Sequence, residues 1–200
     1  MEEVRRAYGV MADRYIELFG SSAAVHADDL ALITCHLSIR PGVVLDVGCG
    51  PGHLTAHLCS LDVDATGIDL VPEFIAHARV SYPDIRFKLG SMHQLAVPDH
   101  TVAGILAWYS LIHLTPDDLD DTLVEFRRVI ARGGNLVAGF FDGDEVVAFD
   151  HKVVTAYYWP VDQLSARLWR AGFREVERQR RPSNAEGGIR PHAAIVAVAD

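Results

Sequence analysis

A short apolar run, Val43–Val47, is interrupted by one acid, Asp46, and followed at once by three glycines, Gly48, Gly50 and Gly52. No other segment narrows the choice of fold so far. Glycines directly after a strand let the backbone approach a ligand, because side chains there would collide with it. The dinucleotide fingerprint GxGxxG wants its third glycine at position 53, where a helix begins and receives a pyrophosphate. That position is His53, and the spacing reads GxGxG. A carboxylate at Asp46 would also repel a pyrophosphate, whereas it can accept hydrogen bonds from an ammonium group. The loop therefore points to a nucleoside bearing an amino acid and away from a nicotinamide oxidoreductase.

The rest of the chain supplies the expected setting. Val4, Tyr8, Met11, Tyr15 and Leu18 recur at spacings of three or four, predicting a helix face. After Gly20-Ser21-Ser22 a second helical run carries Leu30, Ile33 and Leu37, and Arg40-Pro41-Gly42 stops it. Val43–Val47 then reads as a strand buried on both faces of a parallel sheet. Further strands are predicted over 65–69, 85–88, 102–108 and 135–141, with helices marked by Leu54, Leu58 and Leu61 and over 72–80. Thr115-Pro116-Asp117-Asp118 is a strong helix start, with a cap, a proline at the first position and acids at the positive end of the dipole. The stripe Leu119, Leu123, Phe126, Ile130 continues it, with Arg127, Arg128 and Arg132 at its negative end, until Gly133-Gly134. A helix over 161–171 and two strands over 173–180 and 192–199 close the chain, joined by a turn-rich loop from Pro182 to Pro191. Strand–helix alternation predicts a Rossmann-like, doubly wound α/β sheet, seven-stranded and mostly parallel, with an antiparallel C-terminal hairpin. We expect a single domain over residues 1–200, residues 1–40 forming an N-terminal helical lid and 41–200 the core.

With these motifs in place, the chain resembles the class I S-adenosylmethionine-dependent methyltransferases of the type 11/25 branch. The first motif of that family is matched by LDVGCGPG at Leu45–Gly52. Its ribose-gripping acid on the second strand is matched by Asp69 in Gly67-Ile68-Asp69, about 20 residues beyond the glycines. Gly90-Ser91-Met92, the segment Trp108–Leu114 and Gly133-Gly134 extend the resemblance over about residues 8–198. It implies S-adenosylmethionine as cofactor, leaving as S-adenosylhomocysteine, held by Tyr15, Asp46, Gly48, Cys49, Gly50, Gly52, Asp69, Leu70, Gly90, Ser91, Met92 and Trp108. Many relatives carry an acid at position 91 for the adenine amino group; this chain has Ser91.

The family's lid pattern AYxxxAxxY corresponds to Ala7–Tyr15, so Tyr8 and Tyr15 are expected over the cofactor. Tyr8, His113, His151, Tyr157 and Trp159 are the expected acceptor-pocket residues. His113, just after the fourth strand, is the candidate general base, since a neutral imidazole accepts a proton near pH 7. A structural role for it weighs at least as heavily. His53 and His57 lack the glutamate of HExxH, and no metal site is expected.

Composition closes off other classes. The formal net charge is −9, which disfavours nucleic acid as the main ligand, and the arginines from Arg174 to Arg190 read as an exposed strand or edge. Cys35, Cys49 and Cys59 form no CxxC pair, which suits a reducing cytoplasm, and no apolar run is long enough for a membrane span. No NPPY-like or DPPY-like stretch follows the fourth strand, which argues against DNA-base amines. The expected reaction is methyl transfer to an oxygen or nitrogen of a small-molecule acceptor by a monomer or homodimer. An RNA or protein methylase and a non-catalytic S-adenosylmethionine-binding module are the alternatives.

Overall fold

The computed structural model describes residues 1–39, 41–183 and 190–200. Arg40 and most of the loop expected between the last two strands lie outside the described residues. Helices α1 (Glu2–Val10), α2 (Ala12–Phe19) and α3 (Ala27–Leu37) precede the first strand. Then come β1 (Val43–Val47), α4 (His53–Cys59), β2 (Ala65–Asp69), α5 (Pro72–Ser81), β3 (Arg86–Leu89) and β4 (Val102–Trp108). The second half holds α6 (Pro116–Val129), β5 (Ile130–Asp142), β6 (Val147–Phe149), β7 (Ala156–Trp159), α7 (Val161–Arg170), β8 (Phe173–Arg181) and β9 (His192–Ala199).

Among the described residues there are nine strands, and all join one sheet. β3, β2, β1, β4 and β5 run parallel in that spatial order; β9 pairs antiparallel with β5, and β8 with β9. The doubly wound, mostly parallel sheet with its antiparallel end is therefore as expected. Its count is nine rather than seven, because the segment after β5 folds into the short hairpin β6–β7. That hairpin pairs with the end of β5 through Phe141↔Tyr158 and Asp142↔Trp159.

The central strands are mostly apolar because both faces are covered, with Asp46 in β1 and Asp69 at the end of β2 as buried exceptions. In β1, Val44 joins Leu32, Ile33, Leu54 and Leu58 under α3 and α4, while its neighbour Leu45 joins the larger core under α6 and α7. Phe126, Leu119 and Leu123 are fully buried there, each such side chain contributing about 2 kcal/mol through area removed from water. Thr115 caps α6 by accepting from the Asp118 N–H at 3.2 Å, with Pro116 in the first position.

Three boundaries differ from expectation. The N-terminal stripe is broken at Met11 into two helices, which turns Leu18 out to solvent. Helix α4 stops at Cys59, leaving Leu61 exposed beyond it. Helix α6 ends at Val129, so Ile130 and Arg132 belong to β5; Gly133 (φ +76°) accommodates the register shift between the pairs Val102↔Ile130 and Gly104↔Asn135. No helix among the described residues is long and apolar enough to cross a membrane.

Candidate functional site

The sheet reverses direction of winding between β1 and β4, and ligands of open α/β sheets bind outside the carboxyl ends of the strands at such a point. The glycine loop follows β1 there. Gly48, at φ +76°, sits so close to Ser110 that a Cβ would stand 2.3 Å from the Ser110 Cβ, so this position needs glycine for the turn itself. Gly50, at φ +52°, is different: a Cβ there would meet only the Tyr15 ring, at 3.9 Å. The space over Gly50 is a cradle, roofed by Tyr15 of α2.

Two carboxylates flank that cradle. Asp69, at the end of β2, accepts the Gly50 N–H and the Val71 N–H, both at 2.8 Å, one on each oxygen. Burial pushes its carboxyl above the usual range, against these two bonds and that of Leu70. Asp46, in β1, is 1% exposed and accepts the Thr55 hydroxyl at 2.7 Å. Burial, with Asp69 adding its charge, pushes Asp46 up to about 7. Among the described residues neither acid has a salt-bridge partner, so the pair lacks the cation that would stabilise its ionised form. A ligand offering a positive charge near Asp46 and hydroxyl donors near Asp69 fits this donor set.

The other expected cofactor residues are distributed as follows. Tyr15 stands on the loop and packs against Phe74 of α5, 5.2 Å between centroids; burial pushes its hydroxyl up to about 12. Leu70 belongs to the same small cluster. Gly90 donates to the Asp69 carbonyl at 2.9 Å, and Ser91 beside it accepts the His93 N–H at 3.3 Å, leaving position 91 partly exposed at the sheet edge. A groove of about 390 Å³ runs from this edge along the β1–β3 face. Met92 is 5% exposed and part of the large core. Cys49 lies behind the loop: its side chain packs with Ile75, Ala78 and Phe87, and its N–H and carbonyl are taken by Ile68 and Gly52. Trp108 ends β4 on the side of His192, 5.5 Å away, and not beside Asp69.

The expected acceptor pocket gathers from four segments. Tyr8 and Tyr15, although on separate helices, meet edge-on at 5.5 Å. The Tyr8 hydroxyl lies 2.8 Å from His113 Nε2, and His113 Nδ1 lies 2.8 Å from the Thr155 carbonyl. Because a carbonyl only accepts, Nδ1 carries the proton and Nε2 accepts from Tyr8. Burial lowers the His113 pKa, keeping the ring neutral. His151 stands 5.4 Å from His113, and burial, with His113, Arg190 and Lys152 adding repulsion, brings it down to about 4. Tyr157 hangs its N–H on the Ile112 carbonyl at 2.8 Å and packs against the main core.

Trp159 departs from expectation. It is 2% exposed, set in the main core with Arg167 stacked 5.0 Å from its ring, because alternation along β7 turns it away from the face that Tyr158 presents. Tyr158 instead joins Phe149 and Phe141, at 4.2 and 6.2 Å, with Arg190 lying 4.4 Å over Phe149. Phe141, Phe149, Tyr109 and His192 complete this ring wall; Tyr109 falls in the family-like segment Trp108–Leu114 without standing out there, and the other three carry no motif in the sequence. The arginines of β8 are not a free basic face: Arg178 pairs with Asp162 and Glu175, Arg180 with Asp142, and Arg181 with Asp29. His53 and His57 are apart in role, His57 bonding Thr34 at 2.9 Å, and no metal-binding cluster occurs among the described residues.

Residues 44–134 match the protein family described as a methyltransferase domain. An O-methyltransferase of Aspergillus nomiae, rstn1, is 30% identical over 154 residues, covering 70% of this chain and 68% of its own length. The chain belongs to the class I S-adenosylmethionine-dependent methyltransferases. Within this methyltransferase family it is also 34% identical over 96 residues to a demethylmenaquinone methyltransferase of Chlorobaculum parvum, but the match spans only 39% of that protein and 48% of this chain. Among solved structures, the Burkholderia thailandensis 1,6-didemethyltoxoflavin-N1-methyltransferase superposes with a TM-score of 0.82 at 24% identity, over 100% of this chain and 88% of its own. The [4+2]-cyclase SpnF shares the fold at a TM-score of 0.80 and 19% identity, over 98% and 95% of the two chains. The methyltransferase fold is thus shown by these neighbours, and the reaction has to be argued from the site.

Proposed function

We propose that the protein transfers the methyl group of S-adenosylmethionine to an oxygen of a small, aromatic-walled acceptor. One observation carries the reading: the buried acids Asp46 and Asp69 flank an open glycine cradle and have no cationic side chain of their own. Asp69 would take the ribose hydroxyls, Asp46 the amino-acid end, and Gly90, Ser91 and Met92 the base, with Tyr15 as the roof. The bound sulfonium supplies an activated methyl group, so the protein's work is alignment and exclusion of water.

Helices α1 and α2 act as the lid. The bond from Tyr8 to His113 ties the lid to the segment after β4, and the Thr155 carbonyl fixes the tautomer that accepts it. With its lone pair directed at Tyr8, His113 serves to position the lid and the acceptor. The similarity to a protein named an O-methyltransferase supports oxygen as the attacking atom. The pairing of the β8 arginines with acids supports a small molecule over RNA.

The test is incubation with methyl-labelled S-adenosylmethionine and matched sets of phenols, amines, total RNA and protein extract. Label entering phenols first, and entering them more slowly by about tenfold or more in Tyr8→Phe, is the expected result. Label confined to amines, RNA or protein contradicts it.

A further inference from the structure

The ring wall itself holds a second tyrosine–histidine pair that the proposed function does not use. Tyr109, the first residue after β4, has a left-handed backbone (φ +54°), a conformation unfavourable for a non-glycine residue and retained where surrounding structure demands it. Its N–H is held by the Gly139 carbonyl at 2.9 Å, and its ring stands 5.0 Å from Phe141 and 5.9 Å from Trp108. The Tyr109 hydroxyl is 2.5 Å from His192 Nδ1. On the other side of that imidazole, His192 Nε2 lies 3.3 Å from Asp29 Oδ1, within ion-pair reach although too poorly aligned for a good hydrogen bond. Asp29 of α3 is in turn gripped by both guanidinium nitrogens of Arg181, at 2.5 and 2.6 Å. His192 and Asp29 are 3% and 4% exposed. Four elements therefore converge on one buried, directed array: hydroxyl, imidazole, carboxylate, guanidinium.

We infer that Tyr109, His192 and Asp29 form a proton relay for deprotonating an aromatic hydroxyl acceptor, with Tyr109 Oη meeting the acceptor. The inference rests on the methyl-donor reading above. Tyr109 belongs to the same ring wall as Phe141, Phe149, His151 and Tyr158, which is a surface for a planar ring. As the acceptor O–H gives its proton to Tyr109 Oη, the Tyr109 proton passes to His192 Nδ1, and the imidazolium so formed faces Asp29. The acceptor oxygen's freed electron pair forms the new O–C bond to the methyl carbon while the C–S electron pair stays on sulfur, leaving a neutral thioether. The array follows the logic of a hydroxyl–imidazole–carboxylate triad, in which the acid stabilises the charged ring.

Comparison with the other pair decides which histidine takes the proton. His113 is backed only by the Thr155 carbonyl, a weaker partner for a positive charge than a carboxylate, and burial beside His151 and Tyr8 disfavours the charged ring. His192 has a carboxylate. Among the described residues, the charged and titratable groups that face it are Tyr109 after β4, Asp29 on α3 and Arg181 on β8; Asp142, next to its register partner Phe141, is engaged by Arg180 at 2.7 Å. Tyr109 and His192 are positioned together by packing as well, their rings 5.6 Å apart.

The test uses 4-nitrophenol with the protein saturated with S-adenosylhomocysteine, because the ionised probe absorbs visible light. Bound probe is expected to ionise about one pH unit below free probe, since the relay supplies both a proton acceptor and a compensating cation. Tyr109→Phe and His192→Gln are expected to abolish that shift while binding S-adenosylhomocysteine as the unmodified protein does. Glutamine at 192 keeps hydrogen bonding but takes no proton, so a purely structural histidine would leave the shift in place. A shift that survives in either variant, or a probe that never ionises early on the unmodified protein, overturns the relay. Failure of the unmodified protein to bind S-adenosylhomocysteine overturns the methyl-donor reading, and the relay falls with it.

Discussion

Gly48 and Gly50 share a left-handed backbone and differ in what stands over them. At Gly48 a Cβ collides with Ser110; at Gly50 it would enter the cradle beneath Tyr15. Gly48→Ala is therefore expected to disrupt the loop, lowering stability by about 2 kcal/mol or more in urea denaturation. Gly50→Ala should cost only about 1 kcal/mol for its backbone, yet weaken S-adenosylhomocysteine binding by about tenfold or more, measured by titration calorimetry. Equal affinities for Gly50→Ala and the unmodified protein would mean that the ligand lies elsewhere. At this scale the sequence was informative wherever the chemistry is local. Asp46, the glycines and Asp69 follow a motif that chain order alone displays. The meeting of Tyr109 with His192 and Asp29 is not displayed that way: Tyr109 lies in the segment Trp108–Leu114, but it is 83 positions from His192, and the two meet only because β4 and β9 both flank β5.

Elements were legible in proportion to their length and their end signals. Helix α6 has a capping threonine and a proline, and its start was plain; its end was misplaced because Gly133-Gly134, an apparent helix stop, instead serves a register shift inside β5. The hairpin β6–β7 went unseen because strands of three and four residues carry almost no periodicity. The same blind spot placed Trp159 in the pocket, since only a strand assignment reveals which way alternate side chains point. Element-level consequences follow for α3, whose Asp29 ties the N-terminal helices to β8 and β9. Burial alone would raise the Asp29 carboxyl, but His192 and Arg181 beside it hold it at about 2. A depressed acid contributes stability above its ordinary value near 3.8 and loses it as pH falls toward 2. Asp29→Asn is expected to be less stable by about 1–3 kcal/mol at neutral pH, with the difference closing below pH 4. Denaturation curves for both proteins at pH 7 and pH 3 check this; a gap that widens on acidification would contradict the clasp.

For the whole molecule, one sheet places every functional segment at the same edge. The loops after β1, β2, β3, β4 and β5 all emerge at the carboxyl ends of parallel strands, and helices α1 and α2 pack back through Tyr8 and Tyr15 against Phe74 of α5. That convergence was predictable from strand–helix alternation, whereas which rings meet across the pocket was not, because it depends on tertiary register. The fold itself serves more than one reaction, as its likeness to a [4+2]-cyclase shows, so the account stands on the ligand that the two buried acids select. The most direct measurement is isothermal titration of the protein with S-adenosylhomocysteine beside an Asp69→Asn variant. Saturable one-site binding is expected, weakened by about tenfold or more in the variant, which keeps one acceptor oxygen for the loop but loses the charge. A well-folded protein that binds no S-adenosylhomocysteine, or binds NAD in its place, would contradict it.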